Sequence, residues 1–102
     1  MKKIKNGMTF TINGDLYKIA EIKKSSATNH YELELHKSFK NPKINKYAVL
    51  VIAYSKYLQD YSMEWLGYDF GYTYELIKVV SELMEFLKEL DKNMEDQNNV
   101  SI

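Results

Sequence analysis

Cysteine and arginine are both missing from this sequence, and proline and tryptophan occur once each. Without cysteine there is no disulfide, no thiolate metal ligand and no thiol nucleophile, and nothing points to an oxidising compartment. Without arginine, all fourteen basic residues are lysines, so the planar fork that grips phosphate or guanine in bidentate fashion is absent. Lysine still neutralises phosphate as a point charge. Weak, salt-sensitive nucleic-acid binding stays open, and sequence-specific readout is disfavoured. Long apolar runs are missing too: the longest, Tyr47 to Tyr54, has eight residues, which cannot cross a bilayer. The basic start Met1-Lys2-Lys3-Ile4-Lys5 leads into polar Asn6-Gly7 and an alternating Thr9-Phe10-Thr11-Ile12, unlike the apolar core of a signal peptide. A cytoplasmic protein with no membrane partner is expected.

With 102 residues, 45% of them hydrophobic and 27% charged, one modest core and a single folded domain are expected. The formal net charge of zero hides a split. Residues 1–56 hold eleven lysines against four acids (Asp15, Glu21, Glu32, Glu34), a balance of +7, and residues 57–102 hold three lysines against ten acids, a balance of −7. The expectation is an electrostatic dipole, a basic sheet and an acidic helix, whose field selects partners.

The hydrophobic pattern supplies the elements. Met8, Phe10 and Ile12 alternate with threonines up to Asn13-Gly14, which suits the two positive-φ positions of a type I′ turn. Folding back pairs Ile12 with Asp15, Phe10 with Tyr17 and Met8 with Ile19, and puts the apolar members on one face. A polar loop at residues 23–29 leads to a third strand, His30 to His36, with Tyr31, Leu33 and Leu35 facing inward. A basic loop from Ser38 to Asn45 precedes the fourth strand, Tyr47 to Tyr54, apolar on both faces as in a covered central strand. A fifth segment alternates at Tyr61, Met63 and Trp65. Past Gly67 and Gly71 the period changes: Leu76, Val80, Leu83, Leu87, Leu90 and Met94 form a helical stripe, widened by Ile77 and Met84. Thr73 is the expected N-cap and Glu75 suits the positive helix end. The fold expected is α+β: an antiparallel sheet of about five strands, opened by an N-terminal hairpin and curled, then one long helix on one face. Residues 1–95 form the domain and residues 96–102 a frayed tail. One helix covers one face, so the second apolar face of strand four calls for a curling sheet or a second copy, a homodimer.

The chemistry-bearing residues mostly have plain explanations. His30, Glu32, Glu34 and His36 alternate along one strand, but the two histidines are about 20 Å apart, too far to share one ion. They are read as a solvated face, with no metal. Asp15, Glu21 and Lys23 echo the D…E-x-K pattern of metal-dependent nucleases, yet Asp15 follows a turn and is explained by it. There is no glycine-rich phosphate loop and no triad. No catalysis and no cofactor are expected. Tyr47, Tyr54, Tyr57, Tyr61, Trp65, Tyr68, Tyr72 and Tyr74 crowd into 28 residues. Half or more belong in a core with their hydroxyls at its rim, and the rest suit an interface or base stacking. Glu75, Glu82, Glu85 and Glu89, followed by Asp91, Glu95 and Asp96, form the expected outer helix face, either solvating or an anionic ridge for a basic groove.

Two stretches are similar to known families. Lys5-Asn6-Gly7-Met8-Thr9-Phe10 through Asn13-Gly14-Asp15-Leu16-Tyr17-Lys18-Ile19 resembles the opening hairpin of small barrels such as the N-terminal domain of elongation factor P. Trp65-Leu66-Gly67-Tyr68-Asp69-Phe70 entering a helix resembles small proteins of phages and prophages of low-GC bacteria. That resemblance implies a mobile-element accessory protein, a class that includes inhibitors of host defence such as anti-CRISPR proteins. The leading expectation is a non-enzymatic binder that blocks a host defence or nucleic-acid-processing protein with a basic groove. Its contact residues would be Tyr61, Trp65, Tyr68, Tyr72, Tyr74, Glu75, Glu82, Glu85 and Glu89. The rivals are a nucleic-acid-binding module using Lys18, Lys23, Lys24, Lys37, Lys40, Lys43 and Lys46, and a self-assembling structural component.

Overall fold

The structure is a computed structural model that describes residues 4–38 and 48–100, with side chains described through Asn93. Tyr47, the loop lysines Lys40, Lys43 and Lys46, and the side chains of Met94, Glu95 and Asp96 lie outside the described residues. Five strands, β1 (Thr9–Ile12), β2 (Asp15–Lys24), β3 (Tyr31–Lys37), β4 (Ala48–Ser55) and β5 (Asp60–Gly67), precede one helix, α1 (Tyr74–Val100). The sheet is antiparallel throughout and ordered β1-β2-β3-β4-β5. It does not close into a barrel. The chain is α+β.

The N-terminal hairpin forms in the expected register, with Ile12 opposite Asp15 and Phe10 opposite Tyr17. Beyond β1, the Ile19 amide donates to the Met8 carbonyl at 2.9 Å. Asn13 and Gly14 adopt φ of 52° and 83°, the left-handed pair that a type I′ turn requires. Between Ile19 and Glu21 the register of β2 on β3 shifts by a bulge at Ala20. An extra residue reverses the alternation, so Ile19 and Ile22 both fall on the helix side, opposite Leu35 and Leu33.

The core lies between that face and α1. Ile12, Tyr17, Ile19, Leu33, Leu35, Leu50 and Ile52 from the sheet meet Leu76, Val80, Leu83 and Leu87 from the helix. Met84 and Leu90 pack against them, but Ile77 is exposed. The stripe is narrower than expected because Ile77 lies one residue past Leu76, about 100° around the helix. Thr73 caps the helix as its sequence position suggests: its Oγ1 accepts the Leu76 amide at 3.2 Å. The backbone helix continues through Val100, beyond the boundary expected near residue 95. The second face of β4 is covered in part within a single chain: Val49, on the side away from α1, is fully buried between His36 and Leu66 in the neighbouring strands.

Candidate functional site

α1 touches the sheet through polar groups at two places. Far along the helix, Asp91 turns inward. Its Oδ2 is bonded to His30 Nδ1 at 2.8 Å and accepts the Tyr61 hydroxyl, and its Oδ1 accepts the Tyr31 amide at 2.9 Å. Only 17% of the Asp91 side chain is exposed. The His30 ring lies 3.7 Å from that of Tyr54, and Tyr54 meets Tyr61 edge-on at 5.7 Å. Burial, reinforced by the hydrogen bond to Asp91, holds the Tyr61 phenol far above its ordinary value of 10.0. Just outside, Asp60 accepts its neighbour's amide from Tyr61 at 2.8 Å and pairs with Lys88 at 3.5 Å, which lowers the Asp60 pKa. A carboxylate that receives three donors is a fastener: it joins α1 to β5 and to the start of β3 in one hub.

At the helix start lies a second group. Lys37, whose side chain is 9% exposed, pairs with Asp15 at 2.7 Å and donates to the Tyr17 hydroxyl at 3.3 Å. Its ammonium lies 5.0 Å from the Tyr17 and Phe70 ring centres alike, a cation–π sandwich. Burial alone pulls the Lys37 pKa down, but the bonds to Asp15 and Tyr17 outweigh it and leave the pKa raised. The ammonium stays charged, so it is no candidate for a neutral amine nucleophile. These groups border a pocket of about 220 Å³ that also takes in Ile12, Asn13 and Leu76. Asn13 Nδ2 donates to Thr73 Oγ1 at 2.6 Å and the Asn13 amide donates to Glu75 at 3.2 Å, binding the β1–β2 turn to the helix start. The connection from β5 is pinned where Trp65 Nε1 donates to the Gly71 carbonyl at 3.0 Å.

The residues expected at a contact surface separate into three sets. Tyr61 and Trp65 are core residues, 8% exposed each, because inward alternation along β5 turns them toward α1. Tyr68, Tyr72 and Tyr74 are exposed, with Tyr68 set against Phe70 at 4.7 Å. Glu75 is exposed but holds Asn13. Glu82, Glu85 and Glu89 are exposed on one helix face, where Lys78 precedes them, Lys92 follows, and Lys88 pairs with Glu85 at 3.4 Å. Four glutamates share this outer side of α1 with three lysines, so the ridge is of mixed charge. Asp91, expected on it, points the other way.

The basic sheet is likewise absent among the described residues. Lys18 and Lys23 occupy the open face together with Glu21, Glu32, Glu34 and Glu64, and Lys23 lies 3.8 Å from both Glu21 and Glu32. Lys24 is in register with Tyr31 on the opposite side, and Lys37 is folded into the pocket wall. Among the described residues the open face therefore carries both signs: strand pairing lays Glu64 beside Val51 and Glu34 beside Glu21. His30, expected outward, faces Asp91. Asn29 has a φ of 62° and β3 begins only at Tyr31, so strand alternation does not govern residue 30. The inward turn of Asp91 had one signal: it falls four residues after Leu87 and seven after Met84, both stripe positions.

The fold and these contacts define an open five-stranded antiparallel sheet with a single helix across one face. No family model, no curated protein and no solved structure matches the chain. Among the described residues no helix is long and apolar enough to cross a membrane.

Proposed function

We propose that this protein acts by binding another protein, without catalysis, through the exposed surface at the start of α1. Tyr72, Tyr74 and Ile77 carry this reading. All three are exposed within six residues, and Tyr74 is 83% exposed one position after the N-cap. Helical spacing sets Tyr74 beside Ile77. Both stand on a segment held by Thr73, Asn13 and Trp65, so little ordering remains to be done on binding. Tyrosine offers a rigid apolar ring with a polar tip, the chemistry of interface hot spots. The resemblance of Trp65–Phe70 to phage and prophage proteins favours a host protein as the partner and its inhibition as the outcome. A defence or nucleic-acid-processing factor is the class of target that Glu82, Glu85 and Glu89 would orient toward.

Affinity capture from host lysate with the tagged wild type, followed by titration of the captured protein, tests this. Tyr74→Ser combined with Ile77→Ser is expected to weaken binding roughly 100-fold while the protein stays folded. Wild-type affinity in that double variant would remove this surface from consideration. A larger loss from reversing Glu82, Glu85 and Glu89 to lysine would move the contact to the mixed ridge.

A further inference from the structure

We infer that β5 is a self-association edge: two copies pair β5 with β5, antiparallel, about a twofold axis at Met63. This interface is separate from the one proposed above, and the failure of either leaves the other standing. The two outer strands of the sheet differ. β1 has four residues, a short edge of the kind that resists pairing. β5 has eight, in unbroken register with β4 from Ser55↔Asp60 to Ala48↔Gly67. It carries no proline, no lysine and no bulge, the devices that usually blunt an exposed edge. Among the described residues nothing pairs with its outer side.

Exposed apolar side chains flank this edge at both ends. Tyr57, 95% exposed, and Leu58 stand before it, and Leu66 and Tyr68 after it. An antiparallel twofold is the arrangement that brings the first pair of one copy against the second pair of the other. Register follows from the side chains. Directly opposed residues share a face, so the axis passes through a residue and not between two. Centring on Glu64 would set that carboxylate against its own copy, which is unfavourable. Centring on Met63 sets Tyr61 against Trp65 on the helix side, and Ser62 against Glu64 and Asp60 against Leu66 on the open side. Leu58 then approaches the partner's Tyr68. No like charges stand directly opposed, and both helices lie on the same side of a continuous sheet. Because an edge pairing of this kind is isologous, each of these contacts occurs twice.

Sedimentation over a concentration series, with circular dichroism to monitor folding, tests the register. The wild type is expected to dimerise. Ser62→Glu faces Glu64 across the axis twice and weakens the dimer about tenfold, whereas Ser62→Lys faces it with opposite charge and dimerises at least as tightly as the wild type. Combining Ser62→Glu with Glu64→Lys restores the dimer. A wild type that stays monomeric throughout overturns the proposal, even if the edge accepts a strand from another protein. Unchanged dimerisation in Ser62→Glu overturns it as well. Should that variant fail to fold, Ser62→Lys is compared with Ser62→Lys combined with Glu64→Lys, where lysine faces lysine. A weaker dimer in the double variant alone upholds the register, and equal dimerisation in the two overturns it.

Discussion

At its start α1 is fastened to the sheet by a threonine cap and an asparagine turn, beside a lysine whose partner carboxylate is partly open to water. Eighteen residues beyond Thr73 the fastening is a single shielded carboxylate, Asp91, serving His30, Tyr31 and Tyr61 together. The first arrangement is distributed: Asp15 is 43% exposed and can hydrate if Lys37 is lost. The second is concentrated, because three donors depend on two oxygens of one residue. A buried donor left without its acceptor costs more than the bond itself contributes. The two poles therefore differ in how they fail, and the start of the helix is the pole that can carry exposed tyrosines without losing its anchorage.

Removing the concentrated fastener is the largest expected effect. Asp91→Ala strands the Tyr61 hydroxyl and the Tyr31 amide and leaves His30 unpartnered, costing about 2–3 kcal/mol. For a domain of this size the melting temperature falls by roughly 10–20 °C, measurable by thermal denaturation. A loss under about 1 kcal/mol would show that water replaces the carboxylate there, and that the two poles are alike.

Tyr61→Phe removes one of the three donors and keeps the ring, with an expected loss of about 1.5 kcal/mol. It also carries a pH signature. The unfolded phenol ionises at the ordinary value of 10.0, while the folded one is held protonated well above it. Above about pH 10 the folded state therefore binds a proton that the unfolded state releases, and stability falls as pH rises. Below that range the contribution of Tyr61 is complete. Urea denaturation at pH 9 and pH 11 should show a smaller decline in Tyr61→Phe than in the wild type. Equal declines would mean that the phenol titrates normally in the folded protein.

Much of the fold was legible because period and turn chemistry are local properties. The Asn13-Gly14 turn, the hairpin register, the five strands and the Thr73 cap all follow from neighbours within a few residues. The charge of the open sheet face was less legible: a count over sequence halves does not contain the strand pairing that sets Glu21, Glu32, Glu34 and Glu64 among Lys18 and Lys23. Tyr61 and Trp65 were recognisable as inward-facing, and their place in a contact surface came from residue type overriding alternation. Asp91 was misplaced for the same reason: its charge argued for solvent and its spacing for the core. What sequence spacing did not contain was the positive φ at Asn29 that swings His30 into place beside it.

The smallest expected effect is at Lys37, and it separates charge from packing. Lys37→Met keeps a flexible stem between Tyr17 and Phe70 and removes the ammonium. Asp15 is freed into water, so the expected loss is below about 1 kcal/mol. Lys37→Ala should cost more, because it also empties the space between the two rings. The raised Lys37 pKa means that its pairing is complete below the unfolded value of 10.5 and is lost as pH rises through the folded one. Lys37→Met should therefore reduce the alkaline decline less than Tyr61→Phe does. If denaturation instead finds Lys37→Met as costly as Asp91→Ala, the ammonium is an essential anchor and the start of the helix is no more tolerant than its far end. The exposed tyrosines would then stand on a platform as sensitive to substitution as the hub itself, and loss of binding in Tyr74 variants would have to be separated from loss of folding.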